Sequence, residues 1–234
     1  MTTDANSGHR AKLLEILATH SFRLGDFTLA SGQKSDFYID CRTSTLHAEG
    51  GRLSGLIFYE LIREHIPSAI AVGGLTMGAD PLVSNTASAS AWAAADHAET
   101  LQLSADLGLD PDPDQGPISD SNPADAPHLL HGFLVRKAEK THGTGRRIEG
   151  FLQSGAHVVI VDDVCTTGGS TILAIEAARD AGMVVAGVLC LVDRQQGGRA
   201  RIEAVAAPAP FLSVFTANDI RASHIDLHKP HTDP

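Results

Sequence analysis

No two cysteines in this sequence lie close enough to form a CxxC pair. The three present, Cys41, Cys165 and Cys190, are odd in number and far apart. That argues against a disulfide framework and a structural zinc site, so reduced thiols are expected. Cations are also scarce: 18 Lys and Arg stand against 28 Asp and Glu, a net charge of −10. A protein that coats nucleic acid needs a surplus of positive charge on one face, so no nucleic-acid partner is expected. Long apolar runs are missing too. The N-terminal stretch "AKLLEILATHSF" is amphipathic and interrupted by charge. It resembles neither a secretory h-region nor a membrane span, and the protein reads as cytoplasmic with no membrane partner.

The length of 234 residues and a hydrophobic fraction of 43% suit one domain, residues 1–234, with a sizeable core. A helix is expected from about Arg10 to His20 and another from about His47 to His65, each with apolar residues at helical spacing, the second stopped by Pro67. Between them, "FTLASGQKSDFYIDCR" has two short extended stretches around the turn residues Ser31, Gly32 and Gln33, which predicts a strand pair. "AIAVGG", "HVVIV" and "MVVAGVLCLVD" read as buried strands, and "STILAIEAARDAG" as a helix with a glycine stop. Strand, turn, helix and strand in that order indicate βαβ units, hence an α/β fold with a parallel sheet covered on both faces.

One region departs from this rhythm. After an Ala- and Ser-rich helix reaching about Leu103, residues 104–130 are acidic and proline-rich, and no Lys or Arg occurs between Arg63 and Arg136. A mobile surface insertion is expected there, since proline prevents any element of useful length. Residues 224–234 read as a polar tail. His224, His228 and His231 have a spacing that would gather a metal on one helical face, but Pro230 argues against a continued helix.

The stretch with most chemistry is "VVIVDDVCTTGGST", residues 158–171. A strand feeding a turn and a helix N-terminus presents unpaired backbone N–H groups and the positive end of the helix dipole, which together bind phosphate. Thr166, Thr167 and Ser170 add hydroxyl donors, and Gly168 and Gly169 allow close backbone approach. The loop lacks the GK[ST] ending of a P-loop and has no GxGxxG. Asp162 and Asp163 would repel a phosphate unless they face something else, and a ribose diol, with two O–H groups in need of acceptors, fits. The plainer alternative stays open at this point: two carboxylates that end a strand, and a threonine that caps the next helix. The stretch resembles the phosphoribosyl pyrophosphate (PRPP) motif of type I phosphoribosyltransferases.

A second stretch, "GFLVRKAEKTHGTGRRIEG", residues 132–150, leads from an apolar strand into a cationic run with Arg136, Lys137, Lys140 and His142, hinged by Gly143 and Gly145. A pyrophosphate leaving group calls for positive donors that arrive on closure and exclude water. A solvated basic loop is the alternative reading of the same residues. Within it, "VRKAEKTHG" resembles the catalytic loop of orotate phosphoribosyltransferases. "FTLASGQKSDFYIDCR", "GGLTMGADPL" and "LVDRQQGG" are similar to further segments of that family, in family order over residues 27–198.

The resemblance implies a type I phosphoribosyltransferase fold: a central, mostly parallel sheet flanked by helices, a small N-terminal hood and a flexible catalytic loop. It implies that Asp162, Asp163, Val164, Cys165, Thr166, Thr167, Gly168, Gly169 and Ser170 bind PRPP, and that Thr166 also touches orotate. Arg194 would pair with the orotate carboxylate, and Tyr38 and Ile39 would contact the base. Lys137 would meet PRPP in its own subunit, while Arg136, Lys140 and His142 reach the partner's site in a homodimer. Lys140 is the strongest candidate for stabilising the leaving group. Mg²⁺ is the implied cofactor, bound through substrate oxygens and not directly by the protein. Two departures stand out. Many relatives have Lys where this chain has Ala30 and Gly78, so Lys137, Lys140, Arg136, Mg²⁺ or Lys34 would carry the missing charge. The implied reaction joins PRPP and orotate to give orotidine 5′-monophosphate. The rivals are another base, such as a purine, and a PRPP-sensing regulator without chemistry.

Overall fold

The computed structural model describes residues 2–28, 34–107, 127–137 and 147–229. Phe22–Thr28 (β1) and Lys34–Ile39 (β2) form an antiparallel ribbon of their own. The remaining strands are Ala71–Leu75 (β3), His131–Val135 (β4), Ile148–Gly150 (β5), His157–Cys165 (β6), Val184–Asp193 (β7) and Phe211–Thr216 (β8). They make one sheet in the order β5-β4-β3-β6-β7-β8. Only the β4–β5 pair is antiparallel.

The helices are Thr2–Ile16 (α1), Arg42–Thr45 (α2), Ala48–His65 (α3), Asp80–Asp106 (α4), Gly169–Asp180 (α5), Gly198–Ala206 (α6) and Ala217–Leu227 (α7). Strand periodicity divides the core between the two faces of the sheet. On β6, Val159 and Val161 join a cluster with Leu53 and Ile57 of α3, whereas Val158 and Ile160 join one with Ala174 and Ile175 of α5. All eight are fully or almost fully buried, and burial of a valine, leucine or isoleucine side chain stabilises by about 1.5–3 kcal/mol. Runs of aliphatic residues on central strands therefore reflect a sheet covered on both faces.

The topology also places the cleft. From β3 the chain passes through α4 to β4 on one side, and from β6 through α5 to β7 on the other. Connections of opposite sense leave a crevice beyond the carboxyl ends of β3 and β6, where α/β folds bind ligands. The β1–β2 ribbon closes over that end. It is tied to α7 by Arg221 to Asp36 at 2.6 Å and by Phe22 against His224, with ring centroids 5.0 Å apart.

Several boundaries differ from the sequence reading. The first helix begins well before Arg10 and ends at Ile16; Leu17–Ser21 then widen into a π-helical turn. That turn lets Leu17, Ala18 and Ser21 all face inward, where Ser21 Oγ meets Ser44 Oγ at 2.6 Å. The expected insertion at 104–130 is ordered at its start and packed at its end. Residues 104–106 continue α4, with Gln102 bonded to Asp106, and Leu130 is buried with its N–H donating to Ser90 Oγ. Residues 108–126 lie outside the described residues. The polar tail likewise starts later than expected, because His224 to Leu227 belong to α7 and His224 shares a hydrogen bond with the Ala18 carbonyl. His231 lies outside the described residues, and no group of three metal-binding side chains occurs among those described. No helix there is long and apolar enough to cross a membrane.

Candidate active site

The crevice is a cleft of about 1080 Å³, lined from β2, β3, β4, β6, β7 and the turns that follow them. Its floor is the end of β6. Sequence reading had this strand stop at Val161, but it continues through both carboxylates to Cys165. Asp162 is 7% exposed. One of its oxygens accepts from Thr171 Oγ1 at 2.6 Å and the other from the Asp163 N–H at 3.0 Å. Asp163 accepts from the Val164 N–H at 3.0 Å.

Burial pushes the Asp162 carboxyl up to about 7, and the neighbouring Asp163 charge adds to the shift. Asp163 is also raised by burial, against the pull of the Val164 N–H and the Arg42 charge. Two adjacent, largely buried carboxylates resist holding two negative charges, so the pair titrates as a unit. Hydroxyl donors or a cation in the cleft would favour the fully ionised form.

The anion loop follows directly. Gly168 caps α5 with φ +78, a conformation that side chains rarely adopt, and a Cβ there would meet Ile202 Cγ1 at 2.9 Å. Glycine at this position lets the chain turn from β6 into the helix with its first N–H groups toward the cleft. Thr166, Thr167 and Ser170 line the cleft, as does Val164. Cys165 instead is buried, its N–H donating to Cys190 Sγ at 3.2 Å, so its side chain fills the core beneath the loop. Burial raises the Cys190 thiol well above its usual range, in keeping with an inert thiol.

Arg194 comes from the turn after β7. Its N–H donates to the Cys165 carbonyl at 2.9 Å, which fixes the end of β7 to the start of the anion loop. The guanidinium lies 4.7 Å from the Phe37 ring centroid and donates to Ser35 Oγ at 3.3 Å. Its buried Nε meets no hydrogen-bond partner among the described residues. Burial lowers its pKa. A guanidinium held against an aromatic ring, with a buried donor unused, suits a planar carboxylate.

Tyr38 also lines the cleft, 40% exposed, with its ring 5.6 Å from that of Phe27. Ile39 borders the cleft but is buried in the core, as alternation along β2 requires. Arg136 and Lys137 line the cleft at the end of β4, with Arg136 donating to Glu149 at 3.2 Å. In the single chain Arg136 borders its own cleft, and the reach to a partner's cleft that the resemblance implies belongs to the proposal below. Lys140 and His142 lie outside the described residues, as does Ala30. Lys34 donates to Thr28 Oγ1 at 2.8 Å at the rim.

Gly78 has a steric cause. A Cβ there would collide with the Asp163 carboxylate, so no longer residue fits while Asp163 keeps its position. Sequence reading missed Arg42, which lines the cleft and binds Asp40 through two bonds of 2.8 and 2.7 Å. That contact lowers the Asp40 carboxyl. The pair sits in the quoted "YIDCR", yet nothing in the spacing alone says that it borders the cleft. Thr76 and Met77 were also missed as lining residues.

Comparison with known proteins agrees with this geometry. A profile for the phosphoribosyl transferase domain matches residues 135–207. The orotate phosphoribosyltransferase of Thermosynechococcus vestitus is 39% identical over 91% of this chain and 93% of its own length. That of Aquifex aeolicus is 36% identical over 90% and 97%. Among solved structures, the Mycobacterium tuberculosis orotate phosphoribosyltransferase in complex with PRPP superposes with a TM-score of 0.63 at 29% identity, covering 91% of this chain and 99% of that one. With identity of this extent over nearly the whole length, the chain belongs to the orotate phosphoribosyltransferase family.

Proposed function

We propose that this protein transfers the 5-phosphoribosyl group of PRPP to N1 of orotate, giving orotidine 5′-monophosphate and pyrophosphate, a step of pyrimidine biosynthesis. The observation that carries this reading is the content of a single cleft: a buried acidic pair and an anion loop on β6–α5, together with a buried guanidinium from β7 that has a donor to spare. N1 bonds to C1′ while the C1′–O bond breaks with both electrons left on pyrophosphate, and the N1 proton passes to the departing pyrophosphate or to solvent. No protein nucleophile is required. The chain contributes position and charge.

In this scheme Asp162 and Asp163 accept from the ribose hydroxyls, and their negative charge favours the positive character that develops at C1′. The N–H groups at Gly168, Gly169 and Ser170, with the Thr166 and Thr167 hydroxyls, hold the 5′-phosphate. Arg194 pairs with the orotate carboxylate, and Tyr38 and Thr166 border the base. Lys137 meets the pyrophosphate side of its own cleft, joined on loop closure by Arg136, Lys140 and His142 from the other subunit. A homodimer in which Arg136, Lys140 and His142 reach the partner's cleft is part of the proposal. The all-oxygen donor set at Asp162 and Asp163 fits Mg²⁺ held chiefly by substrate oxygens. When bound, such an ion neutralises charge on the pyrophosphate.

The test is the loss of orotate absorbance with PRPP and Mg²⁺, run beside uracil, hypoxanthine and adenine. Turnover of orotate alone is expected, because a site built around a carboxylate leaves its guanidinium unpaired with any other base. Equal turnover of uracil or a purine would overturn the choice of base, and PRPP binding without turnover of any base would indicate a regulator.

A further inference from the structure

Asp193, the last residue of β7, has no part in the scheme above, yet its carboxylate is 4% exposed. One oxygen accepts from the Gln195 N–H at 2.7 Å and the other from Arg199 Nε at 3.1 Å. Arg199 is itself held from two further sides: it donates to Ser213 Oγ on β8 at 2.8 Å and lies 4.6 Å from the Phe211 ring centroid. Asp193 therefore cannot drift without pulling on both β8 and α6.

What it fixes is the turn that carries Arg194. Gln195 has φ +58, the one positive φ of a non-glycine residue among those described. An aspartate that accepts a hydrogen bond from the N–H two residues on stabilises such a turn. Gln195 is also gripped from outside, where its Oε1 accepts from Asn218 Nδ2 at 2.9 Å. Arg194 is thus clamped on both sides, its own N–H on the Cys165 carbonyl and the next residue on Asp193. The guanidinium leaves this clamp toward Phe37 and Ser35.

From this geometry we infer that Asp193 is a positioning residue for base recognition: through the Gln195 turn and the Arg199 anchor it aims Arg194 at the carboxylate of the incoming base. The inference rests on the assignment of Arg194 to the orotate carboxylate. A guanidinium on a loosened turn would keep its charge and lose its two-point geometry, which affects the carboxylated base and leaves the phosphate loop as it was.

The experiment measures KM for orotate and for PRPP, with kcat, in Asp193→Ala, Asp193→Asn and Arg194→Ala, alongside thermal midpoints. Asp193→Ala should raise the orotate KM about tenfold while the PRPP KM stays within about twofold. Asp193→Asn keeps the oxygen that accepts from Gln195 and should recover most of the loss. If Asp193→Ala has no cooperative thermal transition, Arg199→Gln takes its place, with a smaller rise confined to orotate. Unchanged orotate KM in a folded variant, or equal rises for both substrates, would overturn the inference. Arg194→Ala separates the two layers: if it raises the orotate KM and the Asp193 variants do not, only the positioning role fails. If Arg194→Ala leaves orotate binding intact, the assignment of Arg194 and this inference fall together.

Discussion

The two halves of the cleft are built in opposite ways. The half assigned to ribose and phosphate is one contiguous segment, Asp162 to Ser170, running off the end of a central strand. The half assigned to the base is gathered from β2 and the turn after β7, so that Arg194 meets Ser35 across 159 positions of sequence. The first is acidic, with its carboxyls raised by burial. The second is cationic and aromatic, with Arg194 against Phe37. Charge of opposite sign in one crevice suits a substrate pair in which a sugar and a carboxylate must approach each other in a fixed orientation. A contiguous half can hold its ligand through backbone geometry alone, whereas a gathered half depends on clamps such as Asp193.

The largest expected effect comes from a residue that belongs to neither half. Lys140→Ala should lower kcat about a hundredfold or more, corresponding to roughly 2.7–4 kcal/mol for a lost donor at developing charge. Both KM values should move little. Steady-state kinetics with each substrate varied would check this, and a collapse confined to the PRPP KM would place Lys140 with the phosphate half instead. Near wild-type turnover would remove it from the mechanism.

An intermediate effect should appear in pH dependence, and only in the acidic half. Asp162 has its folded-state pKa raised from 3.8 to about 7. The folded protein therefore binds the proton more tightly than the unfolded chain, and the associated stability is complete below about pH 4 and is lost as pH rises through about 7. Thermal midpoints of the unliganded protein should fall by a few degrees between pH 5 and 8, and Asp162→Asn should flatten that slope. Calorimetry across the range decides the matter; an identical slope in the variant would mean that other groups set it. Saturating PRPP should also flatten it, since hydroxyl donors favour the ionised pair.

The smallest effect expected is at the back of the phosphate loop. Arg201 donates to the Thr167 carbonyl at 2.6 Å from an exposed position on α6. Arg201→Ala should raise the PRPP KM by about two- to fivefold, as suits one exposed hydrogen bond, and leave the orotate KM unchanged. An equal shift for both substrates would show that the halves are mechanically coupled through α6 and would blunt the contrast drawn between them.

The contrast also explains what was readable in advance. The strand-turn-helix at 157–180 could be anticipated because it depends on local order: aliphatic strand, carboxylates, small residues, helix. The parallel sheet could be inferred because buried strands need unbroken aliphatic runs. Arg42 was overlooked, since a cation three residues beyond a strand has no local signature of facing a cleft. The extent of β6 was misjudged as well, because carboxylates seldom lie within a central strand; here Thr171 and the Asp163 N–H satisfy Asp162 from within the fold. The constraint on Gly78 could not be foreseen from either segment alone, as it arises from the meeting of the β3 turn with Asp163.

By itself, then, the sequence determined the α/β class, the order of its units and the strand-turn-helix that ends at the cleft, all of which depend on residues that are neighbours along the chain. The tertiary structure alone decided that Arg194 would stand with an unused donor beside Phe37, that Asp193 would clamp its turn, and that burial would raise the pKa of both acidic groups. Those outcomes depend on which distant groups share a dry space, and desolvation is a property of the space, not of any segment that borders it.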